Sequence, residues 1–216
     1  MRAGLVVPVK GLERAKTRLR GAADGGIGDP ERHASLALAL ALDTLEAAAA
    51  ATLVAEIVVV TDDARVATEL TSMVGSARFA SAGTGVRIVR DEPAGGLNAA
   101  LLHGAGALSP SLPRAALQAD LPALKPAELD EALSCPDRAF VADAAGIGTT
   151  LLLAPAGTPL DPHFGGASAA AHTASGARPL PGALPGLRRD VDTEADLAEA
   201  CVLGVGIRTS GLLVCR

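Results

Sequence analysis

Short apolar runs alternate with longer alanine- and leucine-rich stretches along the whole chain. The short runs are rich in valine, leucine and isoleucine and are bounded by polar or turn residues, which is typical of buried strands. They predict strands at 4–9, 56–61, 86–90, 115–119, 139–143 and 149–154.

The longer stretches carry helix signals. A proline at position 30 lies in the first turn of a predicted helix over 30–50, and Asp62 or Asp63 can cap a helix over about 63–73. Thr193 and Asp196 approximate a capping box at the start of a helix over 193–201. Further helices are predicted to begin near Leu97, at 125–133 and, as a short one, after Ser168.

Strand and helix therefore alternate, which predicts a three-layer α/β fold around a mostly parallel sheet. The sequence contains no internal repeat and no long linker, so we expect a single domain over residues 1–216. In such sheets ligands bind outside the carboxyl ends of the strands. Functional residues are therefore expected in the loops that follow the strands.

Composition narrows the class of protein. Apolar residues make up 49% of the chain, but only three residues are aromatic, so the core must consist of Ala, Val and Leu. The net charge of −5 argues against a nucleic-acid partner, which would require a basic face. The apolar N-terminal stretch is too short for a signal or a membrane span, and the three scattered cysteines, Cys135, Cys201 and Cys215, indicate a reducing compartment. We expect a cytoplasmic protein without a membrane partner.

One carboxylate stands out in the apolar run 117–124, where Asp120 directly precedes Leu121 and Pro122. One interpretation is a turn residue that closes a buried strand. The other is a metal ligand at the carboxyl edge of the sheet. Near the last predicted helix, Asp190 and Asp192 alternate on one strand face, so one of them can turn towards Asp120. Two carboxylates at strand ends suit Mg²⁺, although both acids could instead serve only as helix caps.

A cationic loop follows the first strand. Two of the three lysines, Lys10 and Lys16, lie here together with Arg14, Arg18 and Arg20. No G-x-G-x-x-G and no P-loop pattern occurs, which excludes those two modes of nucleotide binding. The loop either neutralises a triphosphate from the side or is an ordinary solvated loop.

The segment 163–172 combines a Gly-Gly turn with a helix start at Ser168. Such a turn favours an anion, because glycine allows close approach and the helix N-terminus presents N–H groups. The preceding turn ends in Thr149 and Thr150, whose hydroxyls suit the same anion. Any capped helix gives a similar pattern. The four histidines have no metal-ligand spacing, and no Ser or Cys lies in a nucleophile elbow. This pattern is compatible with phosphoryl or nucleotidyl transfer, which needs positioning and charge neutralisation and no catalytic triad.

Taken in order, these segments resemble the phosphoenolpyruvate and 2-phospho-L-lactate guanylyltransferases of coenzyme F420 biosynthesis. The matching stretches are 7–19, 96–101, 118–124, 140–150, 162–172 and 188–197. The resemblance covers nearly the whole chain and implies the nucleotide-diphospho-sugar transferase fold of nucleotidyltransferases. The turn here reads Gly-Ile-Gly-Thr-Thr where relatives often have Gly-Thr-Asn or Gly-Thr-Gly-Thr, so either Thr149 or Thr150 could be the contact, and counting from Asp143 favours Thr149.

The resemblance also implies roles for individual residues. It assigns Mg²⁺ to Asp120 and Asp190, and the acceptor's anionic groups to Thr149, Gly165 and Ser168. Beside these roles, we predict that Lys16 and Arg18 of the cationic loop meet charge on the nucleotide and on the leaving pyrophosphate, with Lys10 and Asn98 as further nucleotide contacts.

The implied reaction joins GTP to phosphoenolpyruvate, releases pyrophosphate and passes the product to a downstream transferase. Relatives with a similar alanine-rich, arginine-over-lysine composition mostly use phosphoenolpyruvate, so the resemblance implies this acceptor rather than 2-phospho-L-lactate. Two rival hypotheses are a nucleotidyltransferase for molybdopterin or a sugar phosphate, and a non-catalytic nucleotide-binding regulator.

Overall fold

A computed structural model of the protein describes residues 2–12, 16–75, 83–92 and 95–213. Arg14 of the cationic loop and Cys215 lie outside these ranges. The strands are β1 (Ala3–Pro8), β2 (Val54–Val60), β3 (Gly85–Val89), β4 (Arg114–Leu117), β5 (Ala139–Ala142), β6 (Thr149–Ala154) and β7 (Arg178–Pro179).

All seven strands belong to one sheet in the order β3-β2-β1-β4-β6-β5-β7. The pairs β1–β2, β2–β3, β1–β4 and β5–β7 are parallel, whereas β6 runs antiparallel to both β4 and β5. The predicted mostly parallel sheet is therefore confirmed. The carboxyl ends of β1, β2 and β4 meet at one edge, where the site lies.

The α-helices are α1 (Pro30–Ala50), α2 (Ala64–Val74), α3 (Leu97–Ala107), α4 (Pro126–Leu133), α5 (Ser168–Ala174), α6 (Pro185–Arg188), α7 (Glu194–Leu203) and α8 (Ile207–Leu212). Local caps explain where several of them begin. The Asp29 carboxylate accepts the Arg32 N–H, Asp63 accepts the Arg65 and Val66 N–H groups, and Thr193 with Asp196 forms the predicted capping box.

Alternation along the strands separates two hydrophobic layers. Leu5, Val7 and the other residues of one parity face α1, α2 and α4. Residues of the other parity, among them Val6 and Val58, face α3 and α5. Helices therefore cover both faces of the sheet, and the predicted three-layer α/β arrangement is confirmed.

Helix α3 packs unusually close to the sheet at Gly104. A Cβ atom there would lie 2.4 Å from the Val6 side chain and 2.5 Å from the Val60 side chain. Glycine thus allows α3 to approach the central strands, and α3 begins at the edge of the site.

Three elements were missed by the sequence prediction, namely β7, α6 and α8. The strand predicted over 115–119 ends at Leu117, two residues earlier.

Within the described residues, α1 is the one helix long and apolar enough to span a membrane, and 78% of its apolar window is buried inside the protein. Cys135 carries a free thiol.

Candidate active site

Asp120 lies just beyond the carboxyl end of β4, where two hydrogen bonds fix the turn. The Leu121 N–H donates to the buried Thr44 hydroxyl over 2.9 Å. The Asp120 carbonyl accepts the Val191 N–H over 3.1 Å. This second bond ties the segment that carries Asp190 and Asp192 to the end of β4. The carboxylates that are distant in the sequence are therefore brought together.

Lys16 lies between two of these carboxylates. Its ammonium group donates to Asp120 Oδ2 and to Asp192 Oδ1. Burial lowers the pKa of Lys16, but attraction to and hydrogen bonds with Asp120 and Asp192 outweigh it, so that the pKa is raised above its usual value. The backbone of Lys16 has a φ of 54° in the left-handed region. Lys16 therefore stays charged and occupies the space between the two acids.

The other predicted metal ligand, Asp190, has a raised pKa. Burial and the neighbouring charges of Asp120 and Asp192 raise its pKa to about 7, although Lys16 opposes this shift. Carboxylates crowded in this way share a strong need for a compensating cation.

This crowding predicts a pH-dependent stability effect of Asp190→Asn. The pKa of Asp190 is raised from 3.8 to about 7 in the folded state. The unfolded state therefore loses this proton first as the pH rises, and the unfolding free energy of the wild type falls between these two pH values. Without divalent cations, the variant should exceed the wild type in unfolding free energy at pH 8 by about 1–2 kcal/mol, after a discount for partial exposure. Near pH 4 the difference should vanish.

Thermal unfolding at the two pH values measures this effect, with an expected gain in Tm of roughly 2–8 °C at pH 8. Asp137→Asn, at an exposed carboxylate paired with Arg178, is the matched control and should show no such gain. A loss of stability at pH 8 in Asp190→Asn would contradict the crowding of these acids.

The acidic group has the chemistry of a divalent-cation site. Asp120 Oδ1 is buried and has no hydrogen-bond partner among the described residues, and Lys16 already acts there as a cation. Oxygen ligands of this kind suit Mg²⁺, which keeps several waters or substrate oxygens in its shell. No group of three or more His, Cys, Asp or Glu residues in metal-binding geometry occurs in the described ranges. Two carboxylates are thus the most that the described residues offer.

A cavity of about 300 Å³ opens beside these carboxylates. Its lining includes Lys10, Lys16, Leu97, Gln118, Asp120 and Asp192. Lys10 is exposed at its rim, and Arg18 is exposed in a 3₁₀ turn, Thr17–Leu19. Of the predicted cationic contacts, Lys10 and Lys16 line the cavity, whereas Arg18 does not.

A second group of predicted residues gathers around α5. Thr149, at the start of β6, is only 5% exposed, and Ser168, the first residue of α5, is buried as well. The Thr149 hydroxyl and His172 Nδ1 are 2.9 Å apart. Because Ser168 and His172 are four residues apart on one helix, they lie on the same face of α5. Thr149 thus adjoins the face that carries Ser168.

The two threonines differ in their surroundings. The Thr150 side chain is fully buried and its hydroxyl donates to the Val141 carbonyl over 3.4 Å, at the point where the pairing of β5 with β6 shifts its register. Thr149 faces α5. The N–H of Ala169 donates to the Ile147 carbonyl, so this amide of the first turn is not available to an anion. The first turn of α5 therefore offers fewer free N–H groups to an anion than the sequence predicted, which leaves a larger role to the hydroxyls of Thr149 and Ser168.

Gly165 precedes α5 in a left-handed conformation with a φ of 115°. A Cβ atom there would meet nothing within 4 Å, so the residue borders open space. The loop before it is held firmly, since the Asn98 side chain donates to the Phe164 carbonyl over 3.0 Å and accepts the Phe164 N–H over 2.8 Å. Both polar ends of Asn98 are thereby engaged, and its predicted nucleotide contact stays a prediction.

Two residues of the site, His172 and Asp192, were given no specific role by the sequence prediction. His172 has no ligand spacing in the sequence, although its distance of four from Ser168 was a usable signal. Asp192 was recognised as one of two alternating acids, but its ion pair with Lys16 joins positions 176 residues apart. Such a pairing has no local sequence signal.

Comparison with known proteins identifies the family, although no family model matches the chain. A phosphoenolpyruvate guanylyltransferase of Salinispora arenicola is 53% identical over 95% of this chain and 91% of its own length. The chain belongs to the phosphoenolpyruvate guanylyltransferase family. A second member, from Streptomyces coelicolor, is 51% identical over 96% of this chain and 94% of its own length.

Solved structures support the fold assigned to this guanylyltransferase family member. A nucleotidyl transferase from Methanothermobacter thermautotroptrophicus covers 94% of the chain and 97% of its own, with a TM-score of 0.63 and 19% identity. A cytidylyltransferase from Leptospira borgpetersenii gives a TM-score of 0.52 at 11% identity, over 98% of this chain and 92% of its own. The predicted nucleotidyltransferase fold is confirmed.

Proposed function

We propose that this protein is a single-domain guanylyltransferase that joins GTP to phosphoenolpyruvate. The products would be enolpyruvoyl-2-diphospho-5′-guanosine and pyrophosphate. The observation that carries the proposal is the 53% identity, over 95% of the chain, to a protein named phosphoenolpyruvate guanylyltransferase. In this proposal the acidic cluster would serve Mg²⁺ and the triphosphate, and the buried hydroxyls around α5 would serve the acceptor.

The reaction is a substitution at phosphorus. An oxygen of the acceptor phosphate forms a bond to the α-phosphorus of GTP, and the bond from that phosphorus to the β-phosphate bridging oxygen breaks. The electron pair of the broken bond leaves with pyrophosphate. The acceptor phosphate has a second pKa near 6, so at neutral pH it is already a nucleophilic dianion, and the protein needs to supply no general base.

Asp120 and Asp190 would hold Mg²⁺, which when bound neutralises phosphate charge and brings the two phosphates together. Asp192 lies beside them and shares Lys16 with Asp120. The ammonium group of Lys16 and a divalent cation would compete for the same oxygens. We therefore expect Lys16 to turn towards the triphosphate in the substrate complex, where Arg18, Lys10 and Asn98 would complete the nucleotide contacts.

Lys16→Ala should therefore change two properties in opposite directions. The kcat/KM for GTP should fall by about 10- to 100-fold, because a charge on the leaving pyrophosphate loses its partner. Mg²⁺ binding to the nucleotide-free protein should tighten by about tenfold, because the competing ammonium is gone. Steady-state kinetics and calorimetric Mg²⁺ titration measure the two effects.

Lys125→Ala is the matched control, since Lys125 donates to the Gly204 carbonyl away from the site. Arg18→Ala should affect GTP but not Mg²⁺ binding. Unchanged GTP kinetics in both Lys16→Ala and Arg18→Ala would show that the cationic loop is an ordinary solvated loop without a role in GTP binding.

Thr149, Gly165 and Ser168 would hold the acceptor. Thr149 and Ser168 present hydroxyls near one face of α5, and Gly165 leaves open space beside them. Hydroxyl donors and an accessible backbone suit the carboxylate and phosphate of phosphoenolpyruvate. The acceptor 2-phospho-L-lactate, tetrahedral at the carbon that carries the phosphate, is the nearest alternative.

Pyrophosphate release from GTP, measured with a panel of acceptors, tests the proposal. We expect release with phosphoenolpyruvate and Mg²⁺ and much slower release with 2-phospho-L-lactate, a sugar phosphate or molybdopterin. Faster release with another acceptor would show that the proposed acceptor is wrong, while the proposed guanylyl transfer would still hold. GTP binding without release for any acceptor would instead favour a nucleotide-binding regulator.

The biological setting follows from this proposal. We place the reaction in the cytoplasm, where both substrates occur, and within coenzyme F420 biosynthesis. The product keeps a reactive enolpyruvoyl diphosphate, which a downstream transferase would consume.

A further inference from the structure

His172 is a fully enclosed polar side chain near the acceptor residues. It is 0% exposed, and its ring packs against the rings of Phe140, His163 and Phe164, with centroids 5.8, 6.0 and 5.0 Å away. A histidine so enclosed has one ring orientation, and its two nitrogens must each find a partner.

Each nitrogen of His172 has one partner. The backbone N–H of His163 donates to Nε2 over 2.9 Å, so Nε2 must carry a lone pair. Burial, with smaller contributions from the charges of His163 and Arg138, lowers the pKa of His172 to about 4, although Asp161 opposes the shift. The ring is therefore neutral at pH 7, and its single proton resides on Nδ1.

The proton on Nδ1 fixes the direction of the Thr149 hydroxyl. Nδ1 and Thr149 Oγ1 are 2.9 Å apart, and because Nδ1 carries the hydrogen, it donates and Oγ1 accepts. A threonine hydroxyl that accepts from one side keeps its own hydrogen for another acceptor. Among the described residues, no acceptor for that hydrogen is present, so it can point towards a bound ligand.

We propose that His172 is a positioning residue that holds the Thr149 hydroxyl as a hydrogen-bond donor to an anionic group of the acceptor. The inference rests on the proposed function, because it takes the acceptor to bind at Thr149 and Ser168. His172 itself touches no substrate. It acts through the hydroxyl, whose orientation it sets in advance, and this lowers the ordering needed when the acceptor binds.

The same histidine links the two walls of the acceptor site. Through Nε2 it holds the N–H of His163, two residues before Gly165, and through Nδ1 it holds Thr149 on β6. The two interactions can be separated by substitution. The side-chain nitrogen of Asn stands as far along the side chain as Nδ1, and the oxygen of Gln as far along as Nε2.

His172→Asn therefore keeps a donor for Thr149 and loses the acceptor for His163, whereas His172→Gln does the reverse. We expect His172→Gln to lower kcat/KM for phosphoenolpyruvate by about 3- to 10-fold and to leave the KM for GTP within about twofold. His172→Asn should lose less of the phosphoenolpyruvate kcat/KM than His172→Gln does, because it keeps the donor to Thr149, although its Tm falls. His103→Gln, at an exposed histidine on α3, is the control for loss of a histidine.

A double mutant tests whether His172 acts through the hydroxyl. In a Thr149→Val background, His172→Gln should cause no further loss of phosphoenolpyruvate kcat/KM. Multiplicative losses, or equal losses in the Asn and Gln variants, would overturn the proposal and leave His172 a core residue.

The tautomer provides a test that does not depend on activity or on the variants. Nitrogen NMR of the unliganded wild-type protein should show His172 protonated at Nδ1 and unprotonated at Nε2 at pH 7. A proton on Nε2 would overturn the proposal. A wild type that has this tautomer but releases no pyrophosphate with phosphoenolpyruvate would refute the proposed function instead, because the hydrogen-bond arrangement would stand without that acceptor.

Discussion

Asparagine in place of Asp120 is expected to lower kcat by about 10²- to 10³-fold, equivalent to about 3–4 kcal/mol of transition-state stabilisation. Asp120 follows the end of β4, its carboxylate accepts from the Lys16 ammonium, and its backbone carbonyl accepts the Val191 N–H of the acidic segment. Asparagine keeps the size of the side chain and removes the charge that a divalent cation requires. The fold should survive, because the backbone hydrogen bonds of residues 120 and 121 do not involve the carboxylate.

Steady-state pyrophosphate release measures this effect, with circular dichroism to establish folding. Asp137→Asn removes an exposed carboxylate elsewhere and should leave kcat unchanged. Asp190→Asn should resemble Asp120→Asn, and the double mutant should lose little more, because both acids would act through one ion. Near-wild-type turnover in folded Asp120→Asn would return this residue to the role of a turn residue that closes β4.

Loss of the Ser168 hydroxyl is expected to lower kcat/KM for phosphoenolpyruvate by about 10- to 150-fold, since a hydrogen bond to a charged group contributes about 1.5–3 kcal/mol. Ser168 is 2% exposed and begins α5, so Ser168→Ala should change little in the packing. Thr149→Val should have an effect of the same size. The KM for GTP should stay near the wild-type value in both variants, because neither residue lines the cavity beside Asp120.

Ser210→Ala on α8 is a matched control, because its hydroxyl donates to the Ile207 carbonyl and faces no predicted ligand. Titration calorimetry of phosphoenolpyruvate in the presence of Mg²⁺ provides a second measurement. Unchanged phosphoenolpyruvate binding in Ser168→Ala would place the acceptor elsewhere on the protein.

The parts of the fold that the sequence predicted well are those with local causes. Helix α1 begins after Asp29 because a carboxylate and a proline lie side by side there, and α7 begins after Thr193 because its capping box spans four residues. Strands β1 and β5 are continuous buried or nearly buried apolar runs, as expected for strands covered on both faces. Within the site, Asp120 was marked by its position after such a run.

The missed parts depend on contacts between distant residues. Helix α8 begins where the Arg208 and Thr209 N–H groups donate to Asp43, at sequence separations of 165 and 166. The cap is therefore invisible near α8 itself. In the same way, Lys16 was expected at a triphosphate, and only the folded chain brings it to Asp120, 104 residues away. Asn98 likewise reaches Phe164 across 66 residues.

Phosphorus NMR of a complete reaction tests the central claim most directly, because it shows which phosphates become joined. With GTP, phosphoenolpyruvate and Mg²⁺, we expect one pyrophosphate for each GTP consumed and two mutually coupled resonances from a new diphosphate that links guanosine to enolpyruvate. Formation of GDP and inorganic phosphate, or no new coupled pair while GTP is consumed, would contradict transfer of the guanylyl group to phosphoenolpyruvate.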